Sequence, residues 1–191
     1  MENDEYYDID CILAEQTKIP CTALIDFSQE INLTGDGSVV EHNSRIELPY
    51  WVAKPLAQIT LPDESSLISI ELPKMYGTKV RNVLDADPMT VDYRILCPYF
   101  YLFGLKLLEF IVDEALPGIL EKAFKDRMLN IMNFAQTSGH VIVGNEFIQK
   151  LDETEKELYK LGQESFTKIR QWRKNKQRRI RTIDLPRPST Q

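Results

Sequence analysis

The strongest constraint in this chain is a stripe of apolar side chains that recurs at helical spacing through residues 147–172. At 100° per residue, Phe147, Ile148, Leu151, Leu158, Leu161, Phe166, Ile169 and Trp172 fall on one face. The opposite face carries Asp152, Glu153, Lys156, Glu157, Lys160, Gln163, Glu164, Thr167 and Arg170. This separation marks an amphipathic helix. Drawn unbroken from Glu146 to Trp172, it is about 40 Å long at 1.5 Å rise per residue. A helix of that length must cross several neighbours in its own domain or pack against another chain.

A second helix is expected over residues 119–135, with Leu120, Phe124, Met128, Ile131 and Ala135 on one face. Arg127 lies within the same stripe. A snorkelling side chain with a buried stem and a wet head accounts for it most simply, and an ion pair to another chain is the sharper alternative. Pro117-Gly118 reads as a separator between this helix and an apolar one in YFYLFGLKLLEFIV, residues 99–112. That apolar run is too short to span a bilayer, which needs about 20 residues, and reads as a core helix.

The first half of the chain has a different period. A short helix is expected over residues 8–15, capped by Asp8 or Asp10, then strands over 21–27, 45–48 and 67–72. The Thr-Gly-Asp-Gly-Ser stretch at 34–38 has turn chemistry. Pro49 is placed to open a helix over YWVAKPLAQ, although Pro55 sits in its interior. Trp51 is expected to anchor this part of the core. A helix over about residues 74–85 ends before Asp87-Pro88, since the residue ahead of proline avoids helical geometry. Further helices are expected from Thr90 to Cys97 and from Pro98 onward, with a loop over 137–145. The fold class is therefore α+β, mainly α. A small strand-rich domain with its connecting helix fills 1–87, a helical bundle 88–180, and a flexible tail 181–191.

Chemistry is sparse. His42 and His140 have no ligand partners at metal spacing, and both read as loop residues. Cys11, Cys21 and Cys97 form no Cys-x-x-Cys pair, so neither a zinc site nor a disulfide framework is expected. No phosphate loop, dinucleotide fingerprint or nucleophile elbow is present. The carboxylates at 152–157 fall mostly on the polar face of the long helix, where Asp152 can meet Lys156 and Glu164 can meet Lys168. An exposed face does not desolvate a carboxylate for acid–base work. No enzyme, cofactor or metal is expected. The acidic N-terminus lacks the basic start and apolar run of a secretory signal, and an intracellular chain is expected.

Charge is unevenly spread. Residues 1–87 carry −10, residues 88–167 carry −4 and residues 168–191 carry +8. The basic end holds Arg173, Lys174, Lys176, Arg178, Arg179 and Arg181. It suits nuclear import or an acidic partner, or it is a solvated helix end that complements the macrodipole. Direct DNA binding is the weaker reading, because no aromatic stacking platform accompanies the charges.

Several segments, in order, resemble the GINS family, in the form of its Psf-three subunit. They are YYDIDCILAE at 6–15, KIPC at 18–21, ELPYWVAKPLA at 47–57 and ISIELPKMYGTKVRNVLDADP at 68–88. PYFYLFGLKLLEF at 98–110 and FIQKLDETEKELYKLGQESFTKIRQW at 147–172 continue the pattern, which covers most of residues 6–175. The resemblance implies a non-catalytic nuclear scaffold in a heterotetramer with three other GINS subunits. That assembly joins the MCM helicase ring and the Cdc-forty-five loading factor in DNA replication. Contact with DNA would be indirect, with no membrane partner. It also implies a strand-rich domain ahead of a helical one. The interface with sister subunits is then expected on Phe124, Arg127, Met128, Leu151, Leu158, Leu161, Ile169 and Trp172, some of which must instead form the chain's own core. The alternative is a nucleic-acid-binding module acting through the basic tail.

Overall fold

The computed structural model describes residues 7–28, 31, 33, 35, 37–60, 66–136 and 142–175. Helix α1 (Ile9–Glu15) starts at Asp8, whose carboxylate accepts from the Asp10 amide at 3.2 Å. Strands β1 (Lys18–Ala23), β2 (Arg45–Pro49) and β3 (Ile68–Ile70) form an antiparallel sheet in the order β2-β1-β3. The pleat aims Ile19, Cys21 and Ala23 of β1 and Ile46 and Leu48 of β2 into the core. Ile19 sits opposite Leu48, and Cys21 opposite Ile46.

Strand β1 lies three residues earlier than the expected 21–27, because Pro20 is tolerated in a central strand. Its carbonyl accepts from the Glu71 amide at 2.9 Å. The missing N–H therefore faces the same side, past the end of β3, and the β1–β2 ladder loses nothing. Phe27 then pairs with Val40 as an isolated bridge. Between them, Gly35 and Gly37 take φ of 83° and 72°, the left-handed geometry that their turn requires.

Helix α2 (Tyr50–Gln58) runs through Pro55. Its buried face is Tyr50 and Ala53, and Tyr50 O–H donates to the Lys106 carbonyl at 2.9 Å. Trp51 points the other way and is 53% exposed, so Tyr50 is the aromatic anchor here and Trp51 is not. A 3-10 turn (Lys74–Tyr76) precedes α3 (Thr78–Ala86). Helix α4 (Tyr93–Leu96) is much shorter than the expected Thr90–Cys97, because Asp92 caps the Ile95 amide and starts it late.

Helix α5 (Phe100–Leu107) is the apolar run, and it is buried in the middle of the molecule. Tyr93 stacks on Phe100 at 4.6 Å, and Tyr76 donates to the Phe100 carbonyl at 2.6 Å. One apolar core joins sheet and helices, from Ala14 through Tyr50 and Phe103 to Ala123. Helix α6 (Ala115–Gln136) begins before Pro117-Gly118, which therefore separate nothing. Asp113 accepts from the Ala115 and Leu116 amides, and Pro117 sits in the first turn, where its missing N–H does no harm.

The long amphipathic segment is two helices: α7 (Ile142–Gln149) and α8 (Glu153–Asn175). The break falls at Lys150–Asp152. Tyr93 N–H donates to the Lys150 carbonyl at 3.0 Å, and Glu153 N–H to that of Pro98 at 2.8 Å. The expected loop over 137–145 lies partly outside the described residues, and its last four positions belong to α7. His140 also lies outside them. His42 is in an exposed turn and donates its backbone N–H to Asp26 at 2.6 Å.

Candidate subunit interface

The candidate interface rests on the pairing of α6 with α8, which a buried polar node locks. Arg127 donates to Glu155 from Nε at 2.7 Å and from Nη2 at 2.8 Å. Its Nη1 bonds the carbonyls of Pro88 at 2.7 Å and Val91 at 3.2 Å. The guanidinium lies 4.2 Å from the centre of the Tyr93 ring and 4.9 Å from that of Phe147. Arg127 and Glu155 are both fully buried. Arg127 is therefore neither snorkelling nor free for a partner chain; its ion pair is internal.

Asp152 is buried in the same node, so it does not lie on the solvated face of the long helix. One oxygen caps the Glu155 amide at 2.8 Å and the other accepts from Tyr101 N–H at 3.4 Å. Burial pushes the Asp152 carboxyl up to about 7, against the backbone bond from Glu155. Lys156 pairs instead with Glu153 at 2.6 Å, while the expected Glu164–Lys168 pair is present at 3.6 Å. The Asp152 and Glu155 carboxyls are thus desolvated, but they are sealed and committed to internal bonds. The sequence carries a signal for this break. Asp152-x-x-Glu155 is a capping pattern that the amphipathic stripe runs straight across.

Gly162 closes the other end of the pair. A Cβ there would lie 3.0 Å from the Ala135 Cβ, so the two helices approach closely. Arg127 meets Glu155 and Ala135 meets Gly162, so α6 and α8 run in the same direction. Helix α6 ends at Gln136, beside Gly162, whereas α8 continues to Asn175. The overhang of residues 163–175 is about 20 Å at 1.5 Å per residue.

On α8, Glu155, Tyr159 and Gly162 make up the face turned toward α6, and Phe166 follows them at helical spacing past its end. Leu158, Leu161, Ile169 and Trp172 form a second stripe beside it within an arc of about 80°. Leu158 is half-buried against the small core of Ile131, Phe147 and Leu151. Leu161, Ile169 and Trp172 are 55%, 47% and 61% exposed, and every residue from 167 to 174 is exposed.

The expected interface residues therefore divide. Arg127 and Leu151 are sealed inside the chain and cannot meet a partner in this fold. Phe124 packs into the main core, edge-on to Tyr101 at 5.2 Å. Met128 on α6 remains 40% exposed, so Met128, Leu161, Ile169 and Trp172 are the members of this set that stay largely at the surface. Arg173 and Lys174 are exposed on the last turn of α8, whereas Lys176, Arg178, Arg179 and Arg181 lie outside the described residues.

Cys11, Cys21 and Cys97 are unbridged and buried, and burial pushes the Cys21 thiol up to about 12. Among the described residues no group of three His, Cys, Asp or Glu side chains could hold a metal ion, and no helix is long and apolar enough to cross a membrane.

Two family models match the chain. The PSF3 N-terminal domain matches residues 7–58, and the GINS complex protein helical bundle domain matches residues 75–174. Curated relatives that match carry the name "DNA replication complex GINS protein PSF3", three of them as follows. The protein from Phaeosphaeria nodorum is 34% identical over 87% of this chain and 94% of its own length. That from Aspergillus fumigatus is 34% identical over 87% and 95%, respectively. That from Mus musculus is 32% identical over 95% and 86%.

Proposed function

The chain belongs to the PSF3 family of GINS proteins of DNA replication, and from that premise we propose that it is a non-catalytic scaffold subunit of a GINS heterotetramer. The observation that carries the reading is the α8 overhang. Ile169 and Trp172, in line with Leu161 just before Gly162, carry an apolar stripe past the end of α6, where residues 167–174 are all exposed. An isolated helix of this length is marginal in water, so a stripe held out in this way calls for another chain. The names of the relatives, which describe proteins of a complex, support the same reading.

In this reading three sister subunits cover Met128 and the overhang. The assembled complex works in the nucleus with the MCM helicase ring and the Cdc-forty-five factor, and the scaffold does no chemistry of its own. Residues 1–87 and 88–180 act as its two structural units. Co-expression with the three other GINS subunits, followed by size-exclusion chromatography, tests this. One co-eluting species with equal amounts of each chain is expected. A well-behaved monomer that ignores those subunits overturns the reading.

A second reading rests on Arg173 and Lys174, exposed at the start of the basic tail. There the tail would bind nucleic acid phosphates directly. Truncation after Trp172 would then abolish binding, and affinity would fall steeply with salt. Unchanged affinity after truncation removes it.

A further inference from the structure

Two open clefts meet at Leu96, on elements other than the α8 overhang. The first lies between α3 and α4, holds about 360 Å³, and is walled by Val80, Val83, Val91, Ile95 and Leu96. Ile95 is 76% exposed and Val83 48% exposed across it, unusual for aliphatic side chains grouped on one surface. The second cleft holds about 450 Å³ and runs from Leu96 and Met75 to Lys18, Lys74 and Arg45. One end of the joined surface is thus apolar and the other is basic.

The charges along it are unbalanced. Asp92, at the apolar rim, caps the Ile95 amide at 3.3 Å. Glu47 is the acid that lines the basic half, and Arg45 is paired with Glu71 at 2.5 Å. The side chains of Lys18, Lys74 and Lys79 are all exposed and, among the described residues, none makes a salt bridge. A cationic cleft on a chain of net charge −6 is a local feature with a local reason.

We propose that the joined clefts bind a short acidic segment of a partner protein. That segment seats one bulky apolar side chain between Val83 and Ile95 and sets its carboxylates against Lys18 and Lys74. The apolar end favours a peptide over nucleic acid. Its walls are aliphatic, so they offer no ring for a base to stack on and no donors to read a base edge. A peptide side chain needs only the apolar wall, and the lysines supply steering and register. This inference goes beyond the scaffold reading and stands on different residues.

The test uses the full chain, purified with whichever GINS subunits co-elute with it. A displayed short-peptide library is selected on it, and the most enriched peptide is measured by fluorescence anisotropy. Enriched sequences should combine acidic residues with a large apolar one. Ile95→Asp, and separately Lys18→Glu with Lys74→Glu, should each weaken that peptide about tenfold or more, as loss of a central anchor or a charge pair does. Lys125→Glu, at an exposed lysine of α6 that lines neither cleft, should leave its affinity unchanged. No enrichment, enrichment without acidic residues, or affinity indifferent to both cleft variants overturns the proposal. A single-stranded oligonucleotide that displaces the peptide at equal concentration overturns it in favour of nucleic acid. Ile95→Asp should still co-elute with the other subunits, so failure of the scaffold reading and failure of this one give different results.

Discussion

Arg127 on α6 and Glu155 on α8, both closed off from solvent, hold each other through two contacts of 2.7 and 2.8 Å. Both side chains make further bonds. Glu155 Oε1 accepts from Tyr101 O–H at 3.1 Å, and Arg127 reaches two backbone carbonyls. The pair sets the level at which α8 meets α6, and therefore how much of α8 projects beyond it.

Breaking the pair on one side leaves a buried charge without a counterpart. Arg127→Met should destabilise the chain by about 3–5 kcal/mol, and Glu155→Leu by a similar amount. The double variant should recover much of that loss, because two apolar side chains of similar volume leave no orphan charge. Urea unfolding of all three variants checks this. A double variant as unstable as the sum of the singles would show that the carbonyl bonds to Pro88 and Val91 matter more than the ion pair.

Asp152 makes stability depend on pH in a known direction. Its folded value is raised to about 7 by burial. An unfolded aspartate titrates near about 3.9. Between these values the folded chain keeps a proton that the unfolded chain has released. Stability from this group is therefore complete below the lower value and is lost as pH rises through about 7. Asp113 works in the opposite direction, since the Arg81 hydrogen bond lowers it. The clean measurement is therefore a difference. The urea midpoint of wild type relative to Asp152→Asn should fall as pH rises from acid to neutral, because asparagine still caps Glu155 but does not titrate.

Gly162 controls the distance between α6 and α8. A Cβ at 3.0 Å from Ala135 is tight, but alanine also gains about 1 kcal/mol of helix propensity over glycine. Gly162→Ala should therefore be nearly neutral in thermal unfolding. Gly162→Leu has no room and should destabilise by about 1–3 kcal/mol. If leucine proved as benign as alanine, the contact would be looser than the geometry states.

How much of this was legible in the sequence depends on which signal each residue carried. Period and turn chemistry located α1, β2, β3, α2 and α3 within a few residues, since one local rule decided each. The order of strands before helices followed from the same reading. The long helix misled because Leu151 and Asp152 fit a continuous amphipathic pattern, whereas backbone bonds from Tyr93 and to Pro98 broke it there. Those bonds come from residues more than fifty positions away and leave no periodic trace. The interface suffered for the same reason. An apolar stripe shows which residues leave water, but not whether the chain itself or a neighbour removes them. Arg127 and Leu151 turned inward, while Ile169 and Trp172 share the stripe and stayed outside.

The exposed stripe separates folding from assembly. Leu161, Ile169 and Trp172 are about half exposed in this chain, so replacing them should change its own stability by no more than about 0.5 kcal/mol. Their effect should appear when the sister subunits bind. Trp172 is the strongest candidate, because a large ring near the end of the overhang has the most apolar area to lose. Trp172→Ala should weaken assembly by about 2 kcal/mol or more, roughly thirtyfold, as a tryptophan anchor does in an interface. Ile169→Asp should weaken it further by placing a carboxylate in the covered stripe. Both variants should keep the wild-type far-ultraviolet circular dichroism and unfolding midpoint while failing to co-elute with the other GINS subunits. If they co-elute at wild-type stoichiometry, the overhang is not where the partner sits. If they unfold more easily, the stripe belongs to the chain's own core.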